Sequence, residues 1–179
     1  MKESEFWNCI AEMKPVSAKF SVEEHYNLCK LKLENYSDQD LVEFQANMNR
    51  LWMNGYTWEL MGAAVIVKNN CSDDKFSDFI HGLIYQGEDI YSKALKDSDF
   101  LATVENVIHF FDYELISYLP FKIFDARNDT LDFDSLVERI YDFGRIDGPG
   151  GRAWGDKVEL KEKLPKLSAK FPNYFSETD

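Results

Sequence analysis

Residues 56–87 read YTWELMGAAVIVKNNCSDDKFSDFIHGLIYQG, two helices in succession with a stop and a start signal between them. Thr57 is placed to cap the first helix, with Glu59 in its opening turn, where a negative charge favours the positive end of the helix dipole. Trp58, Leu60, Met61, Ala63, Ala64, Ile66 and Val67 leave this helix almost no polar face, the pattern of a central, buried element. Gly62, Ala63 and Ala64 leave room for close approach by a neighbour. Asn69-Asn70 supplies residues that tolerate the left-handed conformation that stops a helix. Ser72 then caps a second helix, with Asp73 and Asp74 at its first positions. Phe76, Phe79, Ile80, Leu83 and Ile84 recur at three- and four-residue steps as its core stripe, and Gly87 ends it.

The same periodicity extends outward in both directions. Phe6, Trp7, Ile10 and Met13 form one stripe over 3–14, which Pro15 is placed to end. Ser21 opens a helix to about Asn35 through Tyr26, Leu28, Cys29, Leu31 and Leu33. Ser37-Asp-Gln-Asp40 resembles a capping box, with Leu41, Phe44, Met48, Leu51 and Trp52 behind it and Gly55 at the end. Further helices are expected over 89–96, 98–111, 112–125 (broken or kinked at Pro120) and 132–143. Residues 145–155, RIDGPGGRAWG, compose a loop, and 159–170 form a last helix interrupted by Pro165. Strand alternation is nearly absent. The expected fold is all-α: one compact multi-helix domain over 1–143, with a Gly/Pro loop and helical extension of the same domain over 144–179.

The 179 residues suffice for one domain with a sizeable core. Fourteen Phe, 9 Tyr and 4 Trp exclude a disordered chain. A net charge of −12 argues against binding nucleic acid or anionic membranes and permits a cationic partner. Cys9, Cys29 and Cys71 have no C-x-x-C spacing, so neither a disulfide framework nor a Cys-rich zinc site is expected. The opening MKESEFWNCI lacks a signal core, and the longest apolar run, Met61–Val67, is too short to span a bilayer. A cytoplasmic protein without cofactor is expected.

Several of these residues also carry a resemblance. Glu5-Phe6-Trp7 with Ile10, the helix from Leu41 through Phe44 to Leu51, and Trp58-x-Leu60-x-Gly62-Ala63-Ala64 belong to it. So do Cys71-Ser72-Asp73-Asp74-x-Phe76, Phe79, Leu83-Ile84, Gln86-Gly87 and Asp112-Tyr113-Glu114. Together they resemble the bacterial DUF4240 family over about the first two thirds of the chain. The resemblance implies a helical cytoplasmic protein and supplies no reaction. His81 departs from it, standing where a basic residue, often Arg, is expected.

The candidate site residues are Trp58, Glu59, Cys71, Ser72, Asp73, Asp74, His81 and Gln86. Cys71, just before a helix start, could carry a lowered thiol pKa, although Asp73 and Asp74 oppose it. Ser72-Asp73-Asp74 is also ordinary helix-start chemistry, and neighbouring carboxylates about 100° apart make a poor metal pair. Trp58, Asp74 and Gln86 could line a pocket, or Gln86 or Glu59 could simply satisfy the indole N–H of Trp58. Asp78 with His81, and Glu105 with His109 and Asp112, share helical faces, but no E-x-x-H accompanies them and no metal is assigned. Arg145 and Arg152 flank the glycines of 147–151, which match no phosphate-loop pattern. Two functions remain. One is a protein-binding, regulatory or accessory module, of immunity type among others, that docks a cationic partner. The other is an enzyme or small-ligand protein with a pocket between the Trp58 and Ser72 helices. The missing catalytic motif favours the first.

Overall fold

Capping side chains set the helix boundaries in the first half of the molecule. The computed structural model describes residues 1–14 and 21–176. Helix α1 (Glu3–Met13) buries Phe6, Trp7, Ile10 and Met13. Pro15, expected to end it, lies outside the described residues. Helix α2 (Val22–Leu33) starts from a Ser21/Glu24 capping box, and α3 (Asp38–Gly55) from a Ser37/Asp40 box. Helix α4 (Trp58–Lys68) is capped by Thr57 and stopped by Asn69 and Asn70, with φ of 56° and 95°. Helix α5 (Asp73–Tyr85) is capped by Ser72. Gly87, at φ 93°, turns the chain into α6 (Glu88–Lys96).

Beyond α6 the helices shorten. The segment 98–111, expected as one α-helix, is two 3-10 turns, Ser98–Thr103 and Val107–Asp112, separated by Asn106 in the left-handed region at φ 48°. Helices α7 (Glu114–Ser117) and α8 (Leu119–Asp125) follow, and Pro120 sits in the first turn of α8, where its missing N–H costs nothing. Helix α9 (Phe133–Glu138) is half the expected length. Helices α10 (Lys157–Lys163) and α11 (Pro165–Lys170) meet at Pro165 as expected, and α12 (Asn173–Ser176) closes the described chain. No strand forms among the described residues.

One core joins side chains from α1 through α11. Helix α5 is its hub, packed on α3, α4, α6, α7 and the second 3-10 turn. Two glycines permit the closest approaches. A Cβ on Gly62 would stand 2.7 Å from Leu160 of α10, so the small-residue face of α4 admits the C-terminal segment. A Cβ on Gly82 would stand 2.3 Å from the Phe110 carbonyl oxygen, so the second 3-10 turn lies directly on the α5 backbone.

The C-terminal segment is held by backbone as well as by side chains. Trp58 N–H donates to the Gly150 carbonyl (2.9 Å) and Gly150 N–H to the Tyr56 carbonyl (2.8 Å), clasping the Gly-rich loop to the start of α4. Asp99, 4% exposed, accepts from the first amides of α11, Lys166 N–H at 3.1 Å and Leu167 N–H at 2.9 Å. Asp99→Ala leaves the buried Leu167 amide and the part-buried Lys166 amide without their acceptor. It is expected to cost about 2–3 kcal/mol, the scale of hydrogen bonds to a charged group. Limited proteolysis should then cut first within 156–176; a variant as stable and as protease-resistant as the parent would refute this anchoring role.

Candidate functional site

A groove of about 930 Å³ opens between α3, α5, α7, α8, α9 and the strand-free segment that follows α9. Its back wall is α5, whose core stripe turns Asp74, Lys75, Ser77, Asp78 and His81 toward the opening. Trp52 of α3 forms the floor. Its indole N–H donates to Ser77 Oγ (3.0 Å), its ring stacks on Tyr56 at 4.9 Å, and Phe143 meets it edge-on at 5.8 Å. Tyr118, Phe121 and Phe133 line the far side, Phe121 and Phe133 lying 6.0 Å apart in an edge-to-face pair.

The groove is acidic. Among the described residues, Asp74, Asp78, Glu114 and Asp134 line it against the single cation Lys75. Lys75 Nζ bridges to Asp78 Oδ2 at 2.8 Å. This bond raises the pKa of Lys75, while burial, outweighing Lys75, raises that of Asp78. A half-exposed amine thus occupies the most buried carboxylate of the groove. Tyr118 is 54% exposed, and Leu115, Leu131, Ile140 and Ile146 add exposed apolar surface to the same stretch of chain. Carboxylates interleaved with open aromatic faces suit a cation with an apolar stem, held by charge and by the ring faces.

The structure disperses the other sequence candidates. Asp74 and His81 reach the groove; Asp73 and Ser72 stay exposed at the α5 start, where Ser72 Oγ accepts from Lys75 N–H (3.3 Å). Among the described residues His81 pairs with no acid, and Lys75 takes Asp78. Burial pulls its pKa to about 4, against the opposing pull of the Ser77 carbonyl. Cys71 is no thiolate: partial burial pushes its pKa to about 11, more than the neighbouring Lys68 offsets. Trp58 and Glu59 line a second cavity instead, beside α6 and α10, and Trp58 meets Trp154 edge-to-face. Gln86 faces neither cavity. Its side chain donates to the Gly82 carbonyl (3.1 Å) and to Tyr113 Oη (3.2 Å). The pocket expected from Trp58, Asp74 and Gln86 between the Trp58 and Ser72 helices is therefore divided among three places. The Glu105–His109–Asp112 face is also broken, by Asn106, leaving an exposed His109–Asp112 pair at 3.1 Å.

Gln86 leads to a buried network absent from the sequence candidates. Tyr113 Oη lies 2.9 Å from Nδ1 of His25, which is fully buried, and Tyr85 meets the same imidazole edge-on at 5.7 Å. Burial, helped by the Lys14 charge, lowers the His25 pKa to about 4. The signal was present: His25, Cys29 and Leu33 stand at four-residue steps and are the buried residues of α2, whereas Leu31, counted in the expected stripe, is 62% exposed.

Among the described residues, no three His, Cys, Asp or Glu gather as metal ligands, and no helix is long and apolar enough to cross a membrane. A family model described as a protein of unknown function (DUF4240) matches residues 1–126. Neither the curated proteins nor the solved structures contain a match. The groove straddles the end of the matched region: its floor, back wall and Phe121 lie inside it, while Phe133, Asp134, Phe143 and Ile146 lie beyond.

Proposed function

This chain belongs to the DUF4240 family, and we propose that it is a regulatory or accessory docking module whose groove receives a basic segment of a protein partner. The observation that carries this reading is the lining itself: four carboxylates and five aromatic rings, Trp52, Tyr118, Phe121, Phe133 and Phe143, around one lysine. Arginine suits it best among natural side chains, because its guanidinium pairs with a carboxylate and stacks on a ring at once. Lys75 on Asp78 stands in for the incoming cation and leaves when an arginine takes the carboxylate. The net charge of −12 steers basic partners toward the surface and speeds encounter. Three free cysteines accord with work in a reducing cytosol.

The test separates the groove from the charge of the whole chain. Asp74→Asn/Glu114→Gln/Asp134→Asn removes three exposed groove charges. Glu105→Gln/Asp129→Asn/Glu162→Gln removes three from elsewhere. Octa-arginine titrated calorimetrically should bind the parent and the second variant alike. It should bind the groove variant about tenfold more weakly, and the difference should shrink as salt rises to about 0.5 M. The tagged protein in its host should retain a basic partner at low salt that the groove variant fails to retain. Equal weakening by the two variants would reduce the effect to net charge and reject the groove.

A further inference from the structure

The chain between α9 and the Gly150 clasp runs along the groove, tied down only at its two ends. Tyr141 N–H donates to the Val137 carbonyl (2.9 Å), and Gly150 pairs in both directions with Tyr56 and Trp58. Between these points, among the described residues, no hydrogen bond or ion pair joins 142–149 to the rest of the molecule. The segment is braced only within itself. Gly144 N–H donates to Asp142 Oδ1 (2.8 Å), and Arg145 pairs with Asp147 (2.6 Å). Asp142, Arg145 and Asp147 are exposed, whereas Phe143 and Ile146 line the groove. Phe143 reaches the floor, edge-on to the Trp52 ring at 5.8 Å.

We propose that residues 142–149 form a hinged cover of the groove, latched by Phe143 on Trp52, which lifts to admit the groove's occupant. This deepens the docking reading and rests on it for what enters; the motion itself needs no partner. A segment with fixed ends, an inner brace and no hydrogen bonds to the body gives up only a few apolar contacts when it lifts. Ile146 is 40% exposed, so it resists little. The joints are glycines, Gly144 at φ 61° and Gly148 at φ 133°. A Cβ at either would meet nothing within 4 Å, so the chain has both the room and the backbone freedom to turn there. The cover also parallels the lysine behind it. Lys75 holds Asp78 and Phe143 holds Trp52, so the carboxylate and the ring that a guanidinium uses are both taken by this chain until the guest arrives. The apparent affinity of the groove then falls with the fraction of molecules in which the cover is open. The cover lies wholly beyond the family match, which ends at 126, while the Trp52 it latches onto lies inside it.

Nitrogen-15 spectra test the two ends of the cover against each other. Phe143→Ala breaks the latch, and the Gly148 amide at the far joint should shift with it. Gly148→Ala disfavours the positive φ of the closed form without a clash. It should shift the Trp52 indole N–H in the same direction as Phe143→Ala does, because each takes the Phe143 ring away from Trp52. The Trp7 indole signal, from α1, should stay in place in both variants and attest an intact body. In the parent, octa-arginine should move the Gly148 amide and the Trp52 indole together as it saturates the groove. The proposal is overturned if Gly148→Ala leaves Trp52 in place or if Phe143→Ala leaves Gly148 in place. It is overturned equally if octa-arginine binds by calorimetry while the Gly148 amide does not move. Should octa-arginine fail to bind at all, the docking reading falls, and the two variants alone still decide whether the cover is hinged.

Discussion

Gly82→Ala is expected to be the most damaging single-methyl addition in the molecule. The new Cβ would sit 2.3 Å from the Phe110 carbonyl oxygen and 2.6 Å from its Cα, and these are backbone atoms that cannot swing aside. Either α5 or the second 3-10 turn must retreat, opening the Phe79 contacts with Phe110 and Phe111, now at 5.7 and 5.0 Å. Alanine favours the helix by about 1 kcal/mol over glycine, but overpacking against an immovable wall exceeds that. A net loss of about 3 kcal/mol is expected. Gly144→Ala is the control, since nothing lies within 4 Å of its Cβ and only the left-handed φ of 61° is strained; it should cost about 1 kcal/mol. Urea unfolding of the two variants decides the matter. A Gly82→Ala midpoint equal to the parent's would mean that the turn and helix are not in the contact described.

Mild acid should destabilise the protein through His25. Its folded pKa is about 4 against an ordinary value of 6.5. In that window the unfolded chain binds a proton that the folded chain refuses. Stability therefore rises with pH across the window. It is fully present above about pH 6.5 and is lost as the pH falls toward 4. The difference corresponds to about 3 kcal/mol for this fully buried ring. His81, also near 4 but only partly buried as a residue, adds in the same direction. Asp78, whose pKa is raised, acts the opposite way by binding its proton more readily when folded. The measurement is unfolding free energy from pH 4.5 to 7 for the parent and for His25→Phe. The slope should be positive in the parent and distinctly shallower in the variant, whatever the absolute stability of each. An identical slope would show that His25 is not the group refusing the proton.

These two sites also mark how far the sequence could be read. Helix starts were legible at Ser21, Ser37, Thr57 and Ser72, because a cap acts on amides two or three residues away and needs no tertiary partner. The stop at Asn69-Asn70 was legible for the same reason. The 98–112 segment was not. Its apolar spacing suits an α-helix and a 3-10 turn equally, and the choice is made by contact with the α5 backbone at Gly82, a residue far away in the chain. The site was legible only in part. Asp74 and His81 were marked for their helix, but the groove they line depends on Trp52, Phe133 and Phe143 arriving from three other elements. Trp58 and Glu59 were marked for the Ser72 helix and found the Trp154 loop instead, since the clasp at Gly150 leaves no local trace.

The groove's division at residue 126 has an evolutionary consequence. Its floor is also core: Trp52 stacks on Tyr56, and Tyr56 packs on Phe76, so a change there threatens the fold. Its rim, Asp134 and Ile146, is exposed and carries no such duty. Under the proposed docking function, partner choice can change by rewriting the rim alone, while the floor, tied to the core, keeps its aromatic rings.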